Sequence, residues 1–577
     1  MRQDQVKADQ CRSAGVFAGA DRAGSGPVLF DAVLLDRDGT LVEDVPYNGD
    51  PEKVRPLPGV RAGLDRLRAA GLRLGVVSNQ SGLARGLFTV GQMRAVHARV
   101  EALVGPFDSW RVCPHEEADG CSCRKPLPGL VYAAAADLGT VPGRCVVVGD
   151  IGRDVTAALA AGAVGVLVPT PVTRPEEVAA APWVAADFSE AVEEILRRQH
   201  AVQPAVQAAA VRRGGTVLVV RADSAGDVLV TGPAIRAVAH GADRVVLLCG
   251  PRGRAAAELL PGVDEVIEHP LPWIDPDPGR VDPAQMQALI GRLAGVGADE
   301  AVIFTSFHQS PLPLALLLRM AGVPRVAGIS DDYPGSLLDV RHRVPAGVPE
   351  PERALSLAAA TGYGLAPTDQ PTLRLRAGAV PPAPARLGAP GYVVLHPGSA
   401  ASSRAIPPEL AARIAGALVD AGYRVVVTGG PDEREVTAAV AAAGCVDLGG
   451  RTGLAELAGV VAGAAAVVVG NTGPAHLAAA FGVPVVSLFA PTVPFGQWGP
   501  YRVPTVRLGD AAAPCRDTRA ATCPVPGHPC LAGVDPAEVV EALRVLGVPG
   551  EPVGPATTGV AVPAIGGSVP ATGGSGR

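Results

Sequence analysis

The chain of 577 residues predicts an α/β fold built as three successive units. Short apolar runs, of the kind buried on both faces of a parallel sheet, recur along it and alternate with stretches of helical spacing. Two breaks, at 201–215 and in a Pro-rich stretch over 367–390, divide these runs into three series. The composition supports several cores. Hydrophobic residues make up 48% and aromatics only 4%, so the cores are expected to be mostly Val, Leu and Ala.

Residues 1–26 are polar and rich in Gly and Ala, and read as disordered. They lack the apolar centre of a signal peptide, which points to a cytoplasmic location. Residues 27–200 form the first unit, with strands expected over 32–36, 74–78, 145–149 and 164–168. Its helices are expected over 60–70, 91–104 and 179–198. After a linker at 201–215, the second unit, 216–380, has strands over 216–220, 244–248, 301–305 and 326–329. The third, 390–548, has them over 392–395, 424–428, 466–469 and 484–489. Residues 549–577 are rich in Gly, Pro, Thr and Ser and read as a disordered tail. No apolar run of about 18 residues marks an integral membrane segment. A net charge of −6 offers no general basic field for nucleic acid.

The first strand runs into Asp36-Arg37-Asp38-Gly39-Thr40. Polar groups at the carboxyl end of a parallel strand face the ligand crevice. A carboxylate there can attack phosphorus, and a second one two residues on can protonate the leaving oxygen and later activate water. The second strand ends in Ser78-Asn79-Gln80, donors suited to phosphoryl oxygens. Of the 50 Lys and Arg residues only Lys7, Lys53 and Lys125 are lysines, so Lys125 persists against a strong bias toward Arg. It supplies a compact positive charge. The strand 145–149 runs into Asp150, with Asp154 one turn on. With Asp36 these carboxylates suit a hard Mg²⁺ ion that also binds phosphate.

Together these signals resemble the haloacid-dehalogenase (HAD) superfamily over about residues 30–170. The resemblance implies a Rossmann-like phosphatase with Asp36 as nucleophile, Asp38 as general acid/base and Ser78 and Asn79 on the phosphate. It also implies Lys125 as charge neutraliser and Asp36, Asp38 and Asp150 on Mg²⁺. Asp154 either joins that set or orients the metal's waters.

Cys113-Pro-His115, followed after five residues by Cys121-Ser-Cys123, supplies three thiolates and one imidazole. That is a closed tetrahedral set for a structural Zn²⁺. Arg124 and Lys125 follow at once, so the loop would position the catalytic lysine. The loop is similar to that of the D-glycero-D-manno-heptose 1,7-bisphosphate 7-phosphatases and of their relatives, the histidinol-phosphate phosphatases. The segment Ser78-Asn-Gln-Ser-Gly-Leu-Ala-Arg85-Gly86 matches the heptose form. Arg85 and Arg124 then hold the second phosphate of a sugar bisphosphate, the alternative for Arg85 being a solvated arginine at a helix start.

The second unit opens with a strand and then Arg221-Ala-Asp223-Ser-Ala-Gly226-Asp227. Asp227, at a helix start beside an inter-domain cleft, is either a base for an acceptor hydroxyl or a helix cap. In the third unit, His396-Pro-Gly-Ser leads to Arg404, and Gly470-Asn471-Thr472-Gly473-Pro-Ala-His476 forms a strand, a Gly turn and a helix N-terminus suited to a diphosphate. These motifs resemble glycosyltransferase family 9, the heptosyltransferases, from about residue 216 to 546. The resemblance implies a GT-B fold of two Rossmann-like domains and inverting transfer with no essential metal. Asp227 is then the base and Arg404 stabilises the departing diphosphate. Thr472, Gly473 and His476 bind the donor phosphates, and Glu433 touches the donor ribose. Asn471 stands where the lipopolysaccharide enzymes commonly carry Asp, and Arg404 where many members carry Lys. Cys515, Cys523, Cys530 and His528 fit no zinc spacing tightly and read as a thiol-bearing loop.

The expected protein is therefore bifunctional. A Mg²⁺-dependent phosphatase would act on the 7-phosphate of a heptose bisphosphate through an aspartyl-phosphate. A transferase would use a nucleotide-sugar donor, ADP-heptose by the resemblance, and an unidentified glycan or lipid-linked acceptor. A lipid-linked acceptor would fit a location peripheral to the inner face of the membrane. The competing expectation is a histidinol-phosphate or other sugar-phosphate phosphatase joined to a non-catalytic nucleotide-sugar-binding module. No nucleotidyl-transfer motif links the two reactions, so channelling between the sites is not expected.

Overall fold

A computed structural model describes residues 30–207, 214–275, 278–344, 347–548 and 550. The expected disordered ends, 1–26 and 549–577, lie outside the described residues except for Gly550, as does part of the 201–215 linker. Among the described residues every strand pairing is parallel, and the strands form three sheets.

The first sheet contains β1 (Ala32–Leu35), β2 (Arg73–Asn79), β3 (Ser109–Cys113), β4 (Cys145–Gly149) and β5 (Val164–Leu167), in the order β3-β2-β1-β4-β5. Ala32 to Leu35 are all fully buried, as a central strand covered by helices on both faces requires. Helix α1 (Gly152–Ala161) follows β4, and α2 (Phe188–Gln207) closes the unit, running into the stretch expected to be linker.

The second sheet contains β6 (Thr216–Val220), β7 (Arg244–Cys249), β8 (Glu265–Glu268), β9 (Glu300–Ile303), β10 (Arg325–Ile329) and β11 (Val340–His342), in the order β11-β10-β9-β6-β7-β8. Helix α3 (Ala225–Gly241) follows β6, and α4 (Glu350–Ala360) packs against it. The third sheet contains β12 (Tyr392–His396), β13 (Val425–Val427), β14 (Val446–Asp447), β15 (Ala464–Val469), β16 (Val485–Leu488) and β17 (Thr505–Leu508), in the order β14-β13-β12-β15-β16-β17. Helix α5 (Gly473–Phe481) follows β15. One apolar cluster runs without a break from Val217 of the second unit to Val503 of the third.

The first unit rests on both of the others. Helix α2 lies against α4 of the second unit. Tyr132 donates its hydroxyl to the Thr505 carbonyl of the third at 3.2 Å. Between the second and third units, buried Glu352 accepts from the Tyr501 hydroxyl and from Arg502 Nη2 at 3.0 Å.

Candidate active sites

The carboxyl ends of β1, β2 and β4 converge. Asp36, Asp150 and Asp154 are all buried and offer oxygens that lie within 4.8 Å of one another. Lys125 Nζ sits 2.9 Å from Asp36 Oδ1 and 2.5 Å from Asp154 Oδ1, and donates to the Val77 carbonyl at 2.8 Å. Gly39 makes the crowding possible. Its φ is +76°, and a Cβ there would run into the Asp150 carboxylate.

Three carboxylates against one ammonium leave two negative charges unbalanced in a buried site. Burial is the largest influence on Asp36 and pushes its carboxyl up to about 7, with Lys125 opposing and Asp154 and Asp38 adding to the rise. Burial, then Asp36 and Asp154, pushes Asp150 up to about 8. A divalent cation would balance these charges, so the donor set fits Mg²⁺. Asp36, Asp150 and Asp154 would hold such an ion, which would supply positive charge to phosphoryl oxygens.

A pH dependence follows with a definite sign. Both acids have raised pKa values, so they hold protons near pH 6 and must lose them for the ion to bind. The Mg²⁺ concentration giving half-maximal phosphate release is expected to fall from pH 6 to pH 8, by up to ~10-fold per unit for each proton displaced. Titrating Mg²⁺ at several pH values checks this; a requirement that rises with pH would contradict the assignment.

Asp38 lies apart from the three-carboxylate group. Arg37 Nε and Nη2 donate to its two oxygens at 2.9 and 2.8 Å, and Gln80 Nε2 donates at 2.8 Å. Gln80 also donates to Ser78 Oγ at 3.0 Å, which leaves the Ser78 hydroxyl hydrogen free for a ligand. The Asp38 carboxylate, expected on Mg²⁺, is thus held by Arg37 and Gln80 and is not among the three clustered carboxylates. Asn79, expected on the phosphate, instead grips the backbone of Lys125. Its Nδ2 donates to the Lys125 carbonyl at 3.0 Å and its Oδ1 accepts from the Lys125 N–H at 3.1 Å. Both amide ends thus meet the Lys125 backbone, with one Nδ2 hydrogen left over.

The four residues expected to hold zinc lie together and could hold a metal ion. Cys113 Sγ lies 3.6 Å from His115 Nδ1 and 3.6 Å from Cys121 Sγ. Cys123 Sγ lies 3.3 Å from His115 Nδ1 and 3.5 Å from Cys121 Sγ. A tetrahedron with Zn–S bonds of 2.3 Å has edges of about 3.8 Å, close to these separations. Arg85 and Arg124 both lean on this loop, Arg85 3.5 Å from Glu116 and Arg124 donating to the His115 carbonyl at 3.2 Å. Arg85 also donates to the Tyr47 hydroxyl at 2.8 Å, while Arg124 Nε is buried without an acceptor. Because Cys123 is two residues from Lys125, Cys121→Ser is expected to lose bound zinc and to cut phosphate release by at least ~10-fold. Elemental analysis beside the activity assay checks both. Full activity in a zinc-free variant would remove the loop from any role at the site.

Between the second and third sheets, two helix N-termini meet. A Cβ on Gly226 of α3 would lie 3.2 Å from His476 Cδ2 and 3.5 Å from Gly473 Cα of α5. Asp227 Oδ2 accepts from the Ser224 N–H at 3.1 Å and the Ser224 hydroxyl at 2.6 Å, and Oδ1 accepts from Arg221 Nη2 at 3.0 Å. Burial alone would raise its pKa. Arg221 and Ser224 outweigh that and hold the carboxyl below its usual range. Buried Arg221 also pairs with Asp223 at 2.9 Å and donates to Ser306 Oγ at 3.0 Å.

From the other side of the cleft come Arg404 and His476. Burial lowers the Arg404 pKa, with Asp227 opposing, and its Nε has no acceptor. Burial likewise pushes His476 down to about 4, so the imidazole is neutral, and its Nδ1 is unpartnered. Thr472 caps α5 without using its side chain, which leaves its hydroxyl and the first N–H groups for a ligand. Glu433 lies beneath the His396-Pro-Gly turn. Its Oε2 accepts from the Gly430 N–H at 2.7 Å, and a Cβ on Gly398 would run into its carboxylate. One of its oxygens is therefore spent locally.

Sequence reasoning gave no role to Arg37, Arg221 or Ser224, and offered Gln80 to phosphoryl oxygens, whereas its amide donates to Asp38. A signal existed for Arg221, since it is the first polar residue after a buried strand, as Asp36 is after β1.

The chain matches a family model described as glycosyltransferase family 9 (heptosyltransferase) over residues 304–528, and an HAD-hydrolase-like model over residues 122–194. It is 40% identical over 143 residues to a D-glycero-beta-D-manno-heptose-1,7-bisphosphate 7-phosphatase of Pseudomonas putida, covering 24% of this chain and 82% of the relative. It is 39% identical over 147 residues to the protein of the same name from Bordetella bronchiseptica, covering 24% and 80%. Among solved structures it is similar to the B. bronchiseptica D,D-heptose 1,7-bisphosphate phosphatase complexed with magnesium and phosphate. That match has 32% identity and a TM-score of 0.27, and covers 29% of this chain and 99% of the other. It is also similar to Escherichia coli ADP-heptose LPS heptosyltransferase II, with 21% identity and a TM-score of 0.44, covering 57% and 98%.

Proposed function

We propose, from the premise that the chain belongs to the D-glycero-D-manno-heptose 1,7-bisphosphate 7-phosphatase family in its N-terminal region and carries a family 9 glycosyltransferase domain in its C-terminal region, that it is a bifunctional enzyme of heptose metabolism. The observation that carries the first activity is the Asp36–Lys125–Asp154 contact beside Asp150, ringed by Asp38, Ser78 and Gln80. Asp36 attacks the 7-phosphorus of the bisphosphate. The phosphorus–oxygen ester bond breaks, and the leaving oxygen takes a proton from Asp38. Water, giving its proton back to Asp38, then hydrolyses the aspartyl-phosphate. Arg85 and Arg124, both anchored on the zinc loop, receive the second phosphate at the rim.

The transferase takes a heptose, or a related sugar, from a nucleotide donor, ADP-heptose being the first choice. Asp227 receives the acceptor's proton, and Arg404, Thr472 and the N-terminus of α5 receive the departing diphosphate. His476, neutral and buried, offers a hydrogen bond without adding charge.

The deciding measurement is Mg²⁺-dependent phosphate release from heptose 1,7-bisphosphate against histidinol phosphate. Preference for the heptose by ~10²-fold or more is the expected result. Preference for histidinol phosphate would overturn the substrate assignment and leave the donor sugar of the transferase open.

A further inference from the structure

Arg507 has no part in either site described above. It lies on β17 and is 7% exposed. Its guanidinium carbon sits 5.3 Å from the ring centre of Phe489 and 5.0 Å from that of Phe495, and the two rings meet edge to face at 4.8 Å. Among the described residues it makes no hydrogen bond and no ion pair, and its Nε is wholly buried without an acceptor. Asp510 and Asp517 act on it only at longer range, and Arg516 repels it.

Its neighbours share the deficit. Ser487, directly across the β16–β17 ladder from Arg507, is fully buried with an unpartnered hydroxyl. The Thr492 hydroxyl and the Trp498 indole N–H, both in the segment that carries Phe489 and Phe495, are also buried without partners. A buried guanidinium N–H is costly unless it finds an acceptor. Two aromatic faces recover only part of that cost. These four groups are donors, and none of them has a partner within the protein.

It lies where the phosphatase meets the donor-binding domain. A Cβ on Gly162 of the phosphatase would lie 3.0 Å from the Phe495 ring, and Arg516 donates to the phosphatase's Ala180 carbonyl at 2.9 Å.

We propose that Arg507, with Ser487 and the 489–498 segment, is a binding site for a small oxyanion at the seam between the phosphatase and the transferase. A phosphate-like group suits it, because a planar guanidinium presents paired donors to two oxygens and the hydroxyl beside it reaches a third. The site uses neither Lys125 nor Arg404, although the 489–498 segment meets the donor loop where Asn471 Nδ2 donates to the Ala490 carbonyl at 3.4 Å, and it does not depend on which sugar either module uses.

Two measurements on the full chain test this. Crystals soaked in selenate, a tetrahedral oxyanion with an anomalous signal, are expected to show a peak about 3 Å from the Arg507 guanidinium. A map with peaks at Lys125 or Arg404 and only water at Arg507 overturns the proposal. In solution, adding 20 mM inorganic phosphate is expected to raise the apparent Tm of the wild type by about 2 °C more than that of Arg507→Met. The variant keeps both active sites, so an equal rise in the two proteins overturns the proposal as well.

Discussion

Asp36→Asn is expected to abolish phosphate release, by ~10⁴-fold or more, while leaving nucleotide binding at the transferase unchanged. The amide is nearly isosteric, but it has no free electron pair of carboxylate strength to place on phosphorus. It also removes one of three clustered carboxylates and so weakens the Mg²⁺ site. The fold is expected to survive, because Lys125 keeps Asp154 at 2.5 Å and the Val77 carbonyl at 2.8 Å. Losing a carboxyl that burial pushes up to about 7 also removes a group that is costly to ionise. The test pairs an assay of released phosphate with circular dichroism and a nucleotide titration. Residual activity within tenfold of wild type, in a folded variant, would mean that Asp36 is not the nucleophile.

The parts of the fold that were legible in the sequence were its interiors. Strands β1, β4, β6 and β12 are covered on both faces, so each reads as an unbroken apolar run. The strands that went unread, β3, β8, β11, β14 and β17, all lie at sheet edges. They carry Arg111, Glu265, Arg341, Asp447 and Arg507, charged residues that break the apolar signal on which the reading of buried strands rests. The sites divide in a similar way. Asp36, Lys125, Asp150 and the Cys113–Cys123 loop stand at strand ends or at ligand spacing, where local sequence has chemical meaning. Asn79 looked like a phosphate ligand because it follows Ser78. Only the fold shows its amide turned onto the backbone of Lys125, 46 residues away in the chain. Arg221 is similar: its partners Asp223 and Asp227 are local, but Ser306 and Glu350 come from later in the same domain.

Asp227→Asn is expected to lower the rate of sugar transfer by ~10²–10⁴-fold with little change in donor affinity. The competing account makes Asp227 only a helix cap, since it closes a capping box with Ser224. A cap is worth about 1 kcal/mol of stability and nothing to catalysis. The two accounts separate cleanly in this variant. The amide keeps an oxygen that can accept from Ser224, and Arg221 retains Asp223 at 2.9 Å, so the helix start is largely preserved. A large loss of rate with a small loss of Tm therefore identifies the base. A loss of Tm with transfer within tenfold of wild type identifies the cap. The acid side of the pH–rate profile gives an independent check. Arg221 and Ser224 hold the Asp227 carboxyl below the usual carboxylate range, so it is ionised throughout the neutral and mildly acidic range. The wild-type rate should then show no fall from this group until the pH drops below about 4. The same ion pair makes Asp227 a weak base, so it can take the acceptor proton only as the new glycosidic bond forms. That timing requires the departing diphosphate to be stabilised in the same step, and Arg404, close enough for the Asp227 charge to act on it, stands on the opposite side of the cleft to do so.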